Sequence, residues 1–179
     1  MAPELVPPPW KPRSANVVGS AAHRELYLYR AALEQFDVTE CARYQPKGGQ
    51  TFCNIYVWDC TRALGCEIPH WVTSTGDAAK SGQEGAIELS ANAIKAWLDK
   101  HGTRMGWIET TSWGAHEAAS KGQPVVAVYQ AEKGHGHIAM ILPGPNSTLH
   151  VAQAGKFCLF DAPLAAGFGK HFPTFYRHA

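Results

Sequence analysis

Cys53 and His137 are the residues of this chain whose types and surroundings best fit a chemical reaction. Cys53 follows the glycine-bearing segment 44–50 at the predicted start of a helix, where unpaired N–H groups and the helix dipole favour a thiolate. His137 follows the run Gly-His-Gly and opens an apolar strand pattern, so small residues leave room beside its ring. A nucleophilic thiol needs an adjacent base that activates it and later protonates the leaving amine. The pair therefore predicts nucleophilic cysteine catalysis.

Gln153 is the predicted third member of this site, because a hairpin would bring it to His137. The turn-forming cluster 143–147 joins two apolar strand patterns. If Pro143 pairs with Ser147, His137 lies directly opposite Gln153 and both side chains lie on one face of the hairpin. The amide oxygen of Gln153 would then accept a hydrogen bond from the imidazole N–H and orient the ring.

The same site needs an oxyanion hole and a groove for substrate. The backbone N–H of Cys53 is one expected donor, the hydroxyl of Tyr44 is a second, and Gln50 competes with Tyr44 for this role. Trp71 is expected either in the groove wall or in the core. His135 is expected either in the substrate groove or as a solvated loop residue.

No metal or cofactor is predicted. The run Gly-His-Gly-His at 134–137 places histidines two residues apart with no carboxylate or cysteine cluster, which is a weak metal pattern. The four other cysteines form no CxxC pair, and with five in all at least one thiol stays unpaired in a monomer. Cys60 could bridge Cys66, or Cys41 could join either. Cys41, Cys60, Cys66 and Cys158 carry no catalytic context.

Two further polar residues lie near these patterns. Asp59 lies six residues after Cys53, almost on the opposite face of the predicted helix, and is expected to be a solvated or helix-pairing charge. Asn92 either caps a helix or faces the groove.

The elements that must position these residues fall into two classes. Apolar spacing and capping residues predict helices over 21–36 (capped by Ser20), 53–64 (ended by Gly65), 86–101 and 112–120. Branched and aromatic runs predict strands over 125–129, 137–142, 149–153 and 172–176. Helices followed by an antiparallel sheet indicate an α+β fold.

Bulk properties narrow the classes of function. The formal net charge is +1 and the pI is near 7.7, so a global basic field for nucleic acid is absent. No run of about 18 apolar residues occurs, so no membrane span is expected. Five prolines make residues 1–18 an expected extended arm without a signal-peptide pattern. One domain is expected over 19–179.

Three segments resemble the papain-like cell-wall hydrolases, namely the CHAP amidases and the NlpC-type endopeptidases. They are TFCNIYVWD at 51–59, GHIAMI at 136–141 and VAQAG at 151–155. The likeness covers about residues 41–155. It implies a papain-like fold with N-terminal helices packed on the sheet, and hydrolysis of an amide in the peptidoglycan stem through a thioester, without a metal. The segment CNIYV departs from the Asp-Cys-Ser-Gly of the NlpC type, and Gln153 stands where His, Asn or Glu is more frequent.

The stretch 53–72, with IPHWV at 68–72, is also similar to lytic proteins of bacteriophages and to wall-degrading effectors of the type VI secretion system. This likeness implies action in the periplasm of a target cell after delivery by phage, lysis or a secretion apparatus. For a secreted toxin it also implies an immunity protein that plugs the cleft. Two rivals remain: a cysteine peptidase, deamidase or transglutaminase-like effector acting on protein, and a non-catalytic wall-binding module of a phage tail.

Overall fold

Most of the helices come first along the chain and most of the large antiparallel sheet follows, as the helical and strand patterns of the sequence predict. The computed structural model describes residues 24–179, so the predicted arm at 1–18 and the Ser20 cap lie outside the described residues. The α-helices are α1 (Leu26–Glu34), α2 (Cys53–Ala63), α3 (Ala91–Trp97), α4 (Ser112–Ser120) and α5 (Leu164–Phe168). The fold is α+β. Within residues 24–179, no helix combines the length and the apolar composition needed to cross a membrane.

Six strands form the main sheet in the order β3-β8-β4-β5-β6-β7, and all neighbours are antiparallel. These strands are β3 (Trp107–Thr110), β4 (Val125–Tyr129), β5 (His137–Pro143), β6 (Leu149–Gln153), β7 (Leu159–Pro163) and β8 (Thr174–His178). The central strands β4 and β5 are almost wholly buried, which explains their continuous apolar runs. Helices α2 and α4 pack against β5, so the helix that begins at Cys53 rests on the strand that begins at His137.

Helix α2 is buried on nearly every side. Nine of its eleven residues are buried, the pattern of a helix enclosed by other elements rather than one lying on the surface. It begins at Cys53, as predicted. Gly65 follows its end with φ of +68°, the left-handed conformation that a C-terminal glycine commonly supplies.

The burial of α2 corrects the expectation for Asp59. Asp59 is 1% exposed rather than solvated, and its carboxylate accepts from Arg43 Nε at 2.7 Å and from the Tyr44 hydroxyl at 2.9 Å. A carboxylate enclosed in a core is stabilised only by such charged and hydrogen-bonding partners. The sequence position on the far face of α2 was correct, but that face meets the core instead of water.

The third helix is shorter than the predicted 86–101. Ser90 caps it by accepting the N–H of its third residue, so α3 begins after the cap. Residues Ile87–Glu88 instead form β2, which pairs with β1 (Trp71–Val72) in a separate two-stranded sheet. At its other end the helix continues as a π-helix over Leu98–Gly102.

The hairpin between β5 and β6 has a register two residues away from the predicted one. Pro143 pairs with Leu149 rather than with Ser147, and His150 lies opposite Leu142 rather than Met140. The cause is a 3₁₀ turn at Pro145–Ser147, which makes the connection longer than a minimal loop. Because side chains alternate with period two, this shift leaves every residue on its predicted face.

Candidate functional site

The thiol of Cys53 lies where the start of α2 meets the start of β5. Cys53 is 6% exposed and forms part of the wall of a cleft of about 990 Å³. Its sulfur is close enough to hydrogen-bond with the backbone N–H of Ile138, the residue after His137, and with the N–H groups of Asn54 and Cys53 itself. The structure therefore brings together the two predicted motifs, the nucleophile helix and the histidine strand.

The ring of His137 is oriented by Gln153, the contact that the sequence predicted. His137 Nε2 lies 2.8 Å from Gln153 Oε1, and Gln153 Nε2 donates to the Phe157 carbonyl at 3.2 Å. The Phe157 carbonyl can only accept, so it fixes which end of the Gln153 amide carries hydrogens. Oε1 must then accept from the imidazole, which places the proton on Nε2 and leaves Nδ1 with a lone pair. A base with this tautomer can take the proton of a thiol.

Helix α5, which the sequence did not predict, packs against His137 and Gln153. The ring of Phe168 lies 5.0 Å from the ring of His137, centroid to centroid. Gly167 lies so close to Gln153 Oε1 that a Cβ at position 167 would overlap it. The helix has only five residues between Pro163 and Gly169, and a pattern this short does not allow a helix to be recognised from the sequence.

Burial sets the resting charge of the pair. Desolvation raises the pKa of the Cys53 thiol, and the surrounding N–H groups of Ile138, Asn54 and Cys53 oppose the rise only in part. Desolvation also lowers the pKa of His137, against the hydrogen bond that its ring donates to Gln153. Both shifts favour a neutral thiol and a neutral imidazole at neutral pH, the opposite of the lowered thiol pKa expected from the helix start.

Asn92 holds the loop that leads into His137. Its Nδ2 donates to the carbonyls of Ala131 and Gly134, each at 3.3 Å, and its Oδ1 accepts the N–H of Ala131 at 3.0 Å. A Cβ at Gly136 would overlap Asn92 Oδ1, so glycine is required there for close approach. Of the two alternatives for Asn92, the structure shows the groove-facing one, since Asn92 also lines the cleft.

The other predicted site residues divide into two groups. Gln50, Trp71 and His135 all line the cleft, and Gln50 stays the predicted side-chain donor to an oxyanion. Tyr44 does not line it: Tyr44 is fully buried and its hydroxyl donates to Asp59. The predicted oxyanion role of Tyr44 is therefore wrong, because the ring lies in the core beside α2.

A polar chain of Asn54, His70 and Glu88 also lines the cleft, and the sequence did not predict it. His70 Nε2 lies 3.0 Å from Glu88 Oε1, and His70 Nδ1 lies 3.4 Å from Asn54 Nδ2, which also donates to the Leu89 carbonyl. His70 is 1% exposed, and burial lowers its pKa to about 4, with the Arg43 charge adding to this effect. Asn54, directly after the nucleophile, was the available signal that polar residues continue along the cleft.

All five cysteines lie in the described range and none of them is in a disulfide there, so neither bridging alternative for Cys60 is present. Within residues 24–179, no three His, Cys, Asp or Glu side chains converge closely enough to hold a metal ion. The chain matches no protein-family model, and no curated protein matches its sequence.

Proposed function

We propose that this chain is a cysteine hydrolase in which Cys53 is the nucleophile, His137 the general acid and base, and Gln153 the residue that orients the imidazole. The observation that carries the proposal is the hydrogen-bond chain Phe157–Gln153–His137, which leaves Nδ1 of His137 as a proton acceptor. The Cys53 sulfur lies within hydrogen-bonding reach of the N–H of Ile138, the residue after His137. A buried thiol without such a base would remain inert.

The reaction follows from that arrangement. As Cys53 Sγ attacks the carbonyl carbon of an amide, Nδ1 of His137 takes the thiol proton, so charge develops only with the attack. Cys53 and Gln50 both line the cleft, and the backbone N–H of Cys53 and the side-chain amide of Gln50 are the proposed donors to the developing oxyanion. The imidazolium then gives its proton to the leaving amine, and a thioester remains. Water, deprotonated by the same nitrogen, attacks the thioester, and the returning proton restores the thiol.

The proposed substrate is an amide bond in the stem peptide of bacterial peptidoglycan. Support comes from the likeness of segments 51–59, 136–141 and 151–155 to cell-wall hydrolases, and from a cleft large enough for several peptide residues. The proposal includes action on the wall of a target cell, as a phage lytic protein or as an interbacterial toxin with an immunity protein.

Digestion of purified sacculi tests the proposal. Wild-type protein should release soluble muropeptides, whose masses identify the cleaved bond, and the Cys53→Ala variant should release none. Cys158→Ala is the matched control, because Cys158 is a free thiol outside the cleft wall. If the folded wild-type chain releases no fragments yet cuts a protein substrate, the wall assignment fails. If Cys53→Ala releases fragments as the wild type does, the catalytic assignment fails.

A further inference from the structure

One wall of the cleft carries an aromatic ring and a carboxylate side by side. Trp71 in β1 pairs directly with Glu88 in β2 across the small antiparallel sheet. Directly opposite residues in an antiparallel pair project their side chains from the same face. Both side chains line the cleft that holds Cys53.

The carboxylate of Glu88 is held without being neutralised. Its Oε1 accepts from His70 Nε2 at 3.0 Å, while the side chain is 55% exposed. Asn54 donates to the other ring nitrogen of His70 and thereby sets the tautomer that donates to Glu88. Because burial keeps His70 uncharged at neutral pH, the pair retains a net negative charge. A carboxylate also has acceptor capacity for more than one N–H.

The indole of Trp71 has a polar atom that finds no partner among residues 24–179. Its Nε1 is buried and makes no hydrogen bond there. An N–H is a donor and an ammonium has no acceptor, so this atom does not bind the cation; the part of Trp71 that attracts a cation is its π face. The rings of Trp71 and His70 pack in a T-shaped contact, with the centroids 5.6 Å apart and the planes at 85°. His70 thus fixes both Trp71 and Glu88.

Charge is unevenly distributed along the cleft. Among the described residues that line it, Glu88 carries the single carboxylate and Lys47, on the loop before Cys53, the single ammonium or guanidinium group. A carboxylate beside an aromatic face is the chemistry that recognises an organic ammonium, because the ion pair and the ring quadrupole attract the same cation.

We propose that Trp71 and Glu88 form a subsite for a primary ammonium group of the substrate, held in place by His70. The proposal rests on the proposed function and narrows its substrate class to peptides with a free amine near the scissile amide. The diamino acid of a peptidoglycan stem supplies such a group. Its side-chain amine would lie on the Glu88 wall while its amide lies at Cys53.

Charged thiol reagents test the subsite without any hydrolysis. The rates at which Cys53 reacts with 2-aminoethyl methanethiosulfonate and with the neutral methyl methanethiosulfonate are measured by peptide mass spectrometry. In the wild type the ratio of these rates should exceed that in Glu88→Gln by roughly 5–10-fold at low salt, since the charge attracts the ammonium reagent. Glu84→Gln, an exposed acid four residues earlier, is the matched control and should keep the wild-type ratio. An unchanged ratio in Glu88→Gln overturns the subsite.

Sacculi with acetylated amines then connect the subsite to the substrate. Wild-type protein should digest native sacculi with a KM roughly 10-fold below that for acetylated sacculi. Glu88→Gln should remove this preference by raising the KM for native sacculi to about that for acetylated sacculi. Equal KM values for both sacculi in the wild type overturn the proposed substrate class. If neither preparation is digested, the proposed function fails, and the reagent ratio still decides whether the ammonium subsite exists.

Discussion

At the scale of single residues, the site depends on which nitrogen of His137 carries its proton. The Gln153 amide fixes that choice, and the Phe157 carbonyl in turn fixes the amide. The pair starts uncharged because both members are desolvated at the junction of α2 and β5. Proton transfer must therefore accompany attack rather than precede it, which gives the site a distinctive pH dependence.

The pH dependence of the site should reflect the lowered pKa of His137 and the raised pKa of Cys53. His137 acts as a base only when it is neutral, and its pKa lies below 6.5. We therefore expect kcat/KM to be retained somewhat below pH 6.5 and to fall only when the pH drops through the lowered pKa of His137. The Cys53 pKa lies above 9.0, so alkylation by iodoacetamide should keep accelerating from pH 6.5 to beyond pH 9. An alkylation rate that is already maximal at pH 6.5 would indicate a resting thiolate and contradict the neutral pair.

Replacing the Gln153 amide by a carboxylate should move the acid limb of the kcat/KM profile to higher pH. In Gln153→Glu, a negative acceptor at Nε2 favours the imidazolium and raises the pKa of His137 by on the order of one unit or more. The acid limb of kcat/KM should then shift to higher pH. Gln153→Leu removes the hydrogen bond that raises the pKa of His137, so its acid limb should shift to lower pH, and kcat should fall on the order of 10²-fold since the ring loses its orientation. A Gln153→Glu profile that coincides with the wild-type profile would exclude an orienting role.

At the scale of elements, the helices and strands that the sequence predicted have strong local patterns. The elements that it did not predict depend on pairing with other parts of the chain. The strands β4, β5 and β6 and the helix α4 have continuous apolar or capped patterns, and they lie where predicted. The edge strands β3 and β7 are short and partly exposed, so their existence depends on pairing with β8 and β6.

The same contrast holds within the site. His137 and Gln153 are in contact as predicted even though the hairpin register was wrong, because a two-residue shift preserves faces and a long glutamine side chain reaches diagonally. The positions of Tyr44 and His70 could not be predicted in this way. Their surroundings are set by the packing of α2 against segments far along the chain.

Helix α5 should control activity through packing alone. In Gly167→Ala the new methyl group would displace the flexible end of Gln153 rather than backbone. The gain in helix propensity opposes the loss of the buried hydrogen bonds of Gln153, so the free energy of unfolding should change by no more than about 1 kcal/mol. The displaced amide should lower kcat roughly 10–100-fold. Ala166→Ser, at an exposed position of the same helix, is the control. Full activity in Gly167→Ala, measured with urea unfolding on the same sample, would show that Gln153 tolerates displacement.

At the scale of the whole molecule, a buried polar cluster supports the nucleophile helix from the side opposite the cleft. Arg43, Tyr44 and Asp59 join the segment before α2 to the middle of that helix. The Tyr44 ring also packs against the rings of Phe36 and Tyr56, so α1, α2 and the connecting segment share one core. Removing one member of a buried ionic network leaves its partners desolvated and unsatisfied.

Tyr44→Phe separates a structural role from a catalytic one. Burial raises the pKa of Tyr44, so its hydroxyl stays protonated and donates to Asp59 throughout the physiological range. Loss of that donor should lower the free energy of unfolding by about 1–3 kcal/mol, measured by urea denaturation. The folded fraction should keep the wild-type kcat, because Tyr44 lies outside the cleft. Tyr27→Phe, on a ring that is 65% exposed, should change neither quantity. A large fall in kcat with unchanged stability would instead return Tyr44 to the oxyanion hole.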